Sequence, residues 1–512
     1  MRGIRQLAMA HARLGVIPSA ASNAKRVHWI WVLVIASGLV ANACGASPEA
    51  TAVPTQAEDL YEEPVATGDG WATATLSEVG MTLEPINTLL SLLAQQNSQN
   101  INGLLVVKDG KLVLETYYPG EDITINTGLS YTRKDFDRES LHCLASVSKS
   151  VTSLVFGVAV DQGKIDDLDE KMFASFPEYA DSNDAVRGEI TLRHMLSMTT
   201  GLSWDEGYPY DDSRNDLNRM YFSLDPVRFM LEKRLDAMPG ETFIYNGGVT
   251  NLLGEILNRK TGTPLAEYAG EELFAPLGIT SYKWLTFPNA PEMAVASSLL
   301  YLRPRDMAKI GQMVLQQGVW DGRQVVGAQW VALSTAQAEE TSLDTGPAFQ
   351  TTGYGYQWWR GAFANASTEA IFAGGWGGQF IFILPELNTV VVLTGSNYGG
   401  SDAAVLDLVN RYVLGSILGV PAGSADYGVT LSVPDNPGNL VQIHSGPGED
   451  YAVVGQLEAG SVIAVMGRNP ELGLEAMWLQ VSPTGWVALQ DVGPEGWITG
   501  NLANLPVIEG SD

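Results

Sequence analysis

The chain has 512 residues, of which 45% are hydrophobic and 17% are charged, a composition typical of globular protein and not of a disordered chain. This length predicts two or more domains and a large core. With 58 acidic against 30 basic residues the formal charge is −28, which argues against a phosphate-binding surface and against nucleic acid as a partner.

Residues 1–43 have the layout of an export signal. They contain five basic residues and no acidic one, followed by the apolar run WIWVLVIASGLV and by ANA. Cys44 directly after ANA resembles a bacterial lipobox, so we expect an exported protein that is acylated at Cys44 and anchored to the membrane of the cell envelope. Ordinary signal peptidase predicts the same cut, and an uncleaved anchoring helix is the alternative. With Cys44 acylated, only Cys143 would remain as a thiol, so no intrachain disulfide is expected.

Residues 44–75 are rich in Ala, Pro, Thr and acidic residues, which predicts a flexible linker. The large domain is expected over residues 76–420. It opens with a helix and with GLLVVKDGKLVLETYY, a hairpin around Asp-Gly. Further helices are predicted at 191–199, 225–235 and 249–260, and two late strands are predicted to meet at Pro385. The sequence therefore predicts an α+β fold whose antiparallel sheet, flanked by helices, is completed by distant segments.

Residues 436–506, after a linker at 421–435, have short apolar runs with turn signals about every ten residues, which is typical of a small all-β barrel. The stretches HSGPGEDYAVVGQLEAG and EGWITGNLANL resemble the bacterial SH3 (SH3b) domain. His444 stands where that family more often has Arg. The resemblance implies a possible contact with peptidoglycan.

Several kinds of catalytic site are disfavoured by missing motifs. The sequence has no His-Glu-x-x-His or Cys-x-x-Cys metal motif, no Gly-x-Ser-x-Gly elbow and no Walker loop. The histidines available to the large domain are His142 and His194, which are too few and too far apart for a typical zinc site. We therefore expect neither a metal nor a cofactor.

Ser146 and Lys149, in LASVSKSVTS, are three residues apart where a helix is predicted to begin. At this spacing both side chains lie on one face, so the amine can reach the hydroxyl. Lysine acts as a base only where burial or nearby positive charge favours its neutral form. The helix N-terminus offers N–H groups to a developing oxyanion. The spacing alone is not specific, because Ser22 and Lys25 repeat it in the export signal, and a polar turn entering a helix is the alternative.

Five segments in order, over about residues 140–395, resemble the serine β-lactamase-related family. This family comprises class C β-lactamases, DD-peptidases, family VIII esterases and 6-aminohexanoate-oligomer hydrolases. The segments are LASVSKSVTSLVFGVAVDQGKIDDLDEKMFASFPEYA, ITLRHMLSMTTGLSWDEG, GETFIYNGGVTNLLGEIL, LRPRDMAKIGQMVLQQGVWDGRQVV and FAGGWGGQFIFILPELNTVVVLTG. The resemblance implies a β-lactamase/transpeptidase-like fold with a helical subdomain, Ser146 as nucleophile and Lys149 as its base.

The second family motif, Tyr-x-Asn or Tyr-x-Ser, is Tyr245-Asn246-Gly247 here. The resemblance implies that Tyr245 passes a proton to the leaving group. The third position has no side chain, so its substrate contact is either missing or supplied elsewhere.

The third motif, Lys-Thr-Gly in classical β-lactamases, is Trp376-Gly377-Gly378, as in family VIII esterases. Loss of the lysine removes a partner for a substrate carboxylate, which favours esters or amides over penicillins. The resemblance implies that the backbone N–H of Gln379 joins that of Ser146 in an oxyanion hole, although glycines at a strand end also form bulges. GLSWDEGYPYDDSRND resembles the active-site loop of the aminohexanoate-oligomer hydrolases, in which Tyr208 or Tyr210 could contact an amide.

The sequence thus predicts an exported serine hydrolase that acts through an acyl-enzyme on a small ester, amide or peptide. A β-lactamase or DD-carboxypeptidase is the first alternative. A non-catalytic protein that binds the cell wall through the SH3b module is the second.

Overall fold

The computed structural model describes residues 60–95, 100–125, 129–343, 345–365, 368–400 and 402–420, together with parts of 430–499. The predicted export signal, Cys44 and the first part of the predicted linker lie outside the described residues.

A nine-stranded sheet forms the centre of the large domain. Its strands in chain order are β1 (Ala72–Thr73), β2 (Ile101–Lys108), β3 (Lys111–Tyr117), β4 (Glu339–Glu340), β5 (Phe349–Tyr354), β6 (Trp359–Phe363), β7 (Thr368–Gly375), β8 (Gln379–Leu384) and β9 (Thr389–Gly395). Their spatial order is β1-β3-β2-β9-β8-β7-β6-β5-β4, antiparallel except for the parallel pair β1 and β3. Segments from both ends of the domain therefore complete one sheet, as predicted.

The inner strands are apolar on both faces because each face of the sheet is covered. In β2, Leu105 and Val107 belong to one core cluster, whereas Leu104 and Val106 belong to a second. This alternation follows from the two-residue period of a strand. The sheet is thus the middle of three layers.

Eleven α-helices occur among the described residues. They are α1 (Leu83–Gln95), α2 (Val147–Asp161), α3 (Leu192–Leu196), α4 (Asp216–Tyr221), α5 (Pro226–Leu231), α6 (Gly247–Thr261), α7 (Leu265–Ala269), α8 (Pro304–Leu315), α9 (Ala328–Thr335), α10 (Ala403–Leu408) and α11 (Leu414–Leu418). Side chains of α1, α10 and α11 pack in the second cluster, and those of α2, α6 and α8 pack in the first. None of the helices in the described part of the chain is both long and apolar enough to span a membrane.

Local predictions from turn and cap residues agree with these elements. Asp109 and Gly110 join β2 to β3 with φ values of 52° and 76°, the left-handed conformation that an Asp-Gly hairpin turn requires. Helices α3, α5 and α6 lie within two residues of the starts that the sequence predicts. The two late strands, β8 and β9, flank Pro385.

Residues 60–75 pack on the domain, which corrects the prediction of a flexible linker up to residue 75. Tyr61 donates its hydroxyl to the carbonyl of Val113 at 2.9 Å, and the indole of Trp71 donates to the carbonyl of Arg305 at 3.3 Å. Strand β1 then pairs with β3. A half-buried tyrosine, a buried tryptophan and a strand edge therefore outweigh the polar composition of this segment.

The remaining strands are short. In the large domain they are Gly120–Ile125, Leu129–Lys134, His142–Cys143, Lys283–Trp284, Thr286–Phe287, Ala290–Ala294, Leu300–Leu302, Val319–Trp320 and Arg323–Gln324. In the C-terminal part they are Thr430–Ser432, Val441–His444, Val453–Leu457, Val462–Ala464, Gly467–Arg468, Trp478–Ser482, Gly485–Ala488 and Ile498–Thr499.

The C-terminal strands form one sheet of three and one of five. Thr430–Ser432 pairs with Val462–Ala464 and with Ile498–Thr499, so the module includes residues predicted as linker. His444 is buried, its ring centroid 5.0 Å from that of Trp478 and its Nδ1 3.0 Å from the carbonyl oxygen of Tyr451. The regular elements in the described part of this module are all β-strands, and its assignment as SH3b stays a prediction.

Candidate active site

Ser146 lies at the N-terminus of α2, held by the backbone on both sides. Ala145 has φ of 44°, a conformation rare for a residue with a side chain. Leu144 donates its N–H to the carbonyl of Leu300 at 2.8 Å. Nearly all of α2 is buried, so the serine stands at the end of a rigid, fully packed helix.

Lys149, one turn along α2, points its amine at Ser146. Its Nζ donates to Ser146 Oγ at 2.9 Å and to the carbonyl of Ser297 at 3.1 Å, and it lies 4.7 Å from the ring centroid of Tyr245. The side chain is only 1% exposed. Its hydrogen-bond partners in the described part of the chain are both neutral oxygens, so it is placed to exchange a proton with the serine hydroxyl.

Tyr245 comes just before α6 and is fixed by aromatic packing. Its ring stacks on Trp359 with 5.4 Å between centroids. Asn246, the next residue, caps α6 by accepting the N–H of Val249 at 3.0 Å. The predicted trio of Ser146, Lys149 and Tyr245 is therefore brought together from two helix starts.

The third predicted motif forms the turn of a hairpin between β7 and β8, in which Gly375 pairs with Gln379. The glycine packed against Ser146 is Gly375, one residue before the motif: a Cβ there would lie 2.4 Å from Leu144 O and 3.1 Å from Ser146 N. Sequence matching missed Gly375, since its constraint comes from a segment distant along the chain.

The side chain of Gln379 faces away from solvent and holds the neighbouring strand. It donates to the carbonyl of Gly395 at 2.6 Å and accepts the N–H of Gly395 at 3.2 Å. Gly377 has φ of 90°, and a Cβ there would lie 2.5 Å from the ring of Tyr398. Gly378 has φ of 85°. The turn requires both glycines because of their positive φ, and the ring of Tyr398 leaves no room for a side chain at Gly377.

A cavity of about 240 Å³ opens above Ser146. Its walls are mostly apolar and aromatic: Ile123, Cys143, Ala145, Ser146, Tyr210, Asp211, Leu217, Asn218, Tyr221, Phe222, Val295, Ser298, Leu299, Trp376 and Tyr398. No lysine or arginine is among these described lining residues, and Asp211 is the acidic one. Such a cavity suits a neutral, largely apolar group.

Trp376 and Tyr210 form one aromatic wall of this cavity. Their ring centroids are 4.9 Å apart, and Trp376 lies 4.8 Å from Tyr398. The Trp376 indole donates to the carbonyl of Tyr398 at 3.0 Å. Tyr208 instead lies beneath the guanidinium of Arg214, 4.0 Å from its ring centroid. Of the two tyrosines considered from the sequence, Tyr210 is the one that lines the cavity.

The two histidines of the large domain have structural roles, one in packing and one in capping a helix. His142 stacks on Phe136 with 4.1 Å between ring centroids, and burial, with the charge of Lys134 adding to it, lowers the pKa of His142 to about 3. His194 forms a capping box with Thr191 at the start of α3. Among the described residues, no group of three or more His, Cys, Asp or Glu is arranged to hold a metal ion.

Comparison with known proteins assigns the large domain to a family. The model described as Beta-lactamase matches residues 91–414, more than half of the chain. The chain belongs to the beta-lactamase family. As a member it is an enzyme of the serine hydrolase class, which agrees with the resemblance found in the sequence.

Individual relatives are distant. The chain is 27% identical over 335 residues to the 6-aminohexanoate-dimer hydrolase of Paenarthrobacter ureafaciens, covering 63% of this chain and 80% of that protein. It is 29% identical over 187 residues to the N-acetylmuramyl-L-alanine amidase of Bacillus subtilis, covering 34% of this chain and 40% of that protein. Among solved structures, the octameric penicillin-binding protein homologue from Pyrococcus abyssi matches with TM-score 0.50 and 16% identity, covering 78% of this chain and 99% of that one. This last likeness shows the shared fold.

Proposed function

We propose that this beta-lactamase-family protein hydrolyses a neutral ester or amide through an acyl-enzyme on Ser146. The observation that carries the proposal is the 2.9 Å contact between Lys149 Nζ and Ser146 Oγ at the base of a cavity lined by apolar and aromatic groups. A nucleophile touching its base, with the base oriented by a third group, is the arrangement that nucleophilic catalysis requires. Here the carbonyl of Ser297 orients the base.

The proposed reaction has two halves. Ser146 Oγ bonds to the substrate carbonyl carbon while its proton passes to Lys149 Nζ, and the C–O or C–N bond to the leaving group then breaks. The proton reaches the departing alcohol or amine through Tyr245, whose ring faces the amine of Lys149. Water next attacks the acyl carbon and loses a proton to the same pair of groups. The bond from the acyl carbon to Ser146 Oγ then breaks, Oγ takes up that proton, and the carboxylic acid leaves.

Developing negative charge on the substrate oxygen needs hydrogen-bond donors. The N–H of Ser146, at the N-terminus of the 15-residue helix α2, is one. The turn at 376–378, or Gln379 as the sequence predicts, would give the second N–H. Gly375 contributes by letting this hairpin approach the backbone of Ser146 closely.

The charge of the cavity favours esters and amides over penicillins and D-Ala-terminated peptides. Those alternative substrates carry a carboxylate, which is usually held by a lysine or arginine. The described cavity wall has neither, and its Asp211 would repel an anion. A β-lactamase or DD-carboxypeptidase is therefore the less favoured reading of this site.

We also propose that the protein acts outside the cytoplasm, anchored by an acylated Cys44, with its SH3b module in contact with peptidoglycan. Support comes from the sequence of residues 1–44 and of the C-terminal module. Globomycin, which blocks lipoprotein processing, should leave an uncleaved precursor if Cys44 is acylated. Binding to purified sacculi with and without residues 436–506 tests the module.

Intact-protein mass spectrometry tests the enzymatic proposal. The protein is incubated with a fluorophosphonate and, separately, with a penicillin, and Ser146→Ala serves as control. We expect one fluorophosphonate adduct that the control lacks and no stable penicillin adduct. A penicillin adduct on Ser146 would restore the β-lactamase alternative, whereas no Ser146-dependent adduct would favour the non-catalytic cell-wall protein.

A further inference from the structure

The second motif lacks a side chain at its third residue, which is Gly247 here. Gly247 is the first residue of α6, two positions after Tyr245. A Cβ at Gly247 would lie 2.4 Å from Glu206 Oε1 and 3.3 Å from Ser297 Oγ. The place of the missing side chain is therefore occupied by the carboxylate of Glu206, which comes from the loop after α3.

Glu206 is held firmly in this place through one of its two oxygens. Oε1 accepts the N–H of Gly247 at 2.7 Å and the indole N–H of Trp204 at 2.6 Å. Both bonds are made to a charged acceptor, which strengthens them. The orientation of the carboxylate is thus set before any substrate binds.

The second oxygen is buried and lacks a donor. Glu206 Oε2 has no hydrogen-bond partner among the described residues, and neither has the buried hydroxyl of Ser297 across the same space. Buried polar groups are rarely left unpaired in a native structure. A ligand or a water with hydrogens to donate would complete this site.

The negative charge of Glu206 affects the pKa of two neighbouring tyrosines. Burial raises the pKa of Tyr210 well above its usual range, and the nearby charges of Glu206 and Tyr245 raise it further. Burial likewise raises the pKa of Tyr354 well above its usual range, and the nearby charges of Tyr245 and Glu206 raise it further.

Contacts place Glu206 next to the catalytic groups: it accepts the N–H of Gly247, two residues after Tyr245, and the Cβ position of Gly247 lies 3.3 Å from Ser297 Oγ. The carbonyl of Ser297 in turn accepts the amine of Lys149 at 3.1 Å. Glu206 therefore lies beside the groups that act on the substrate.

We propose that Glu206 replaces the missing motif side chain and makes the enzyme selective for amides over esters. This inference rests on the proposed function and narrows its substrate class. The free Oε2 of Glu206 accepts a hydrogen bond from the N–H of the scissile amide. An ester has an oxygen in that position, so a carboxylate facing it meets a second acceptor, and the unpaired group disfavours binding.

A purely structural role would be to cap the N-terminus of α6. The variant Glu206→Gln separates the two roles, because Gln keeps an oxygen that can accept the N–H of Gly247 but presents an N–H₂ where Oε2 stood. It removes the acceptor for an amide and supplies a donor for an ester oxygen. Glu241→Gln, which neutralises an exposed acidic residue in the segment before Tyr245, is the matched control.

The experiment measures kcat/KM for an amide and an ester with the same acyl group and leaving-group shape. In Glu206→Gln we expect the amide-to-ester ratio to fall at least about tenfold, the size expected for one charge-assisted hydrogen bond. The ratio should stay within about twofold of wild type in Glu241→Gln. Thermal unfolding of each variant reports on folding separately from selectivity.

A second variant covers the case in which Glu206→Gln folds poorly. Gly247→Asn alone should clash with Glu206 and lose activity on both substrates, whereas Glu206→Ala/Gly247→Asn restores the usual motif residue in the cleared space and should recover folding. An unchanged amide-to-ester ratio in folded variants that lack the Glu206 carboxylate, with Ser146-dependent turnover intact, would overturn the role of Glu206 alone. No Ser146-dependent turnover of either substrate by wild type would overturn the proposed function and this inference with it.

Discussion

Replacing Gly375 by Ala tests how closely the β7–β8 hairpin must approach Ser146. The new Cβ would lie 2.4 Å from Leu144 O and 3.1 Å from Ser146 N, both of them backbone atoms. Real Cβ atoms are essentially never found closer than 3.0 Å to such atoms. The hairpin or the start of α2 must therefore move by about 0.6 Å to relieve the contact.

The expected loss follows from the size of this movement. A misplacement of about 1 Å in a catalytic site can cost about 100-fold in rate. We therefore predict that Gly375→Ala lowers the rate of fluorophosphonate labelling by roughly 10-fold to 100-fold. The extra methyl should also lower the free energy of unfolding by about 1–3 kcal/mol, the usual cost of overpacking.

The assay is the second-order rate of fluorophosphonate labelling, measured beside urea unfolding. Gly374→Ala is the matched control, because a Cβ there would first meet ring atoms of Phe380 at 3.3 Å and of Phe372 at 3.5 Å. Those contacts are to side chains and need only a small adjustment. Wild-type labelling by folded Gly375→Ala, or an equal loss in Gly374→Ala, would refute the close approach.

Three further predictions concern Lys149, the ion pair of Glu115 with Arg305, and the buried His142. Lys149→Arg should lower probe labelling by about 10²–10⁴-fold, because a guanidinium stays charged and cannot take the proton of Ser146; labelling at the wild-type rate would exclude Lys149 as base. Glu115→Gln should lower the free energy of unfolding by about 1.5–3 kcal/mol in urea, because it removes one of the two carboxylates that pair with Arg305 and leaves Asp69 as the other, with turnover per folded molecule unchanged. The unfolded pKa of His142 is near 6.5 and the folded one about 3, so between these values only the unfolded chain takes up the proton, and stability should fall by about 1.4 kcal/mol per unit of decreasing pH. Urea unfolding at several pH values should show this slope lessened in His142→Gln, and an equal slope in both proteins would be evidence against it.

The sequence predicted those features whose cause is local. The extended runs on either side of Asp109-Gly110, the turn between them and the helix that begins directly after Ser146 each depend on residues close together along the chain. Their positions in the structure agree with the predictions because tertiary contacts reinforce the same preferences. The same is true of the Ser146 and Lys149 pair, whose contact is fixed by the geometry of one helix turn.

Features caused by distant residues were not predictable in this way. The composition of residues 60–75 predicts a linker, yet Trp71 is anchored by the carbonyl of Arg305, 234 positions away. The glycine at 247 suggests a missing contact, and the carboxylate in its place belongs to Glu206, 41 positions earlier. Motif matching pointed to residues 376–379, whereas the contact of Gly375 with Ser146 depends on the packing of two separate segments. Such contacts depend on how segments that are distant along the chain pack against one another.

The most direct test of acyl-enzyme catalysis by Ser146 is to locate the covalent intermediate during turnover. The enzyme is mixed with excess amide or ester, quenched in acid within milliseconds to seconds, digested, and sequenced by tandem mass spectrometry. We expect the mass of the substrate acyl group on Ser146 and on no other residue, and none in Ser146→Ala. Steady turnover without an acyl group on Ser146, or with the group on a different residue, would contradict it.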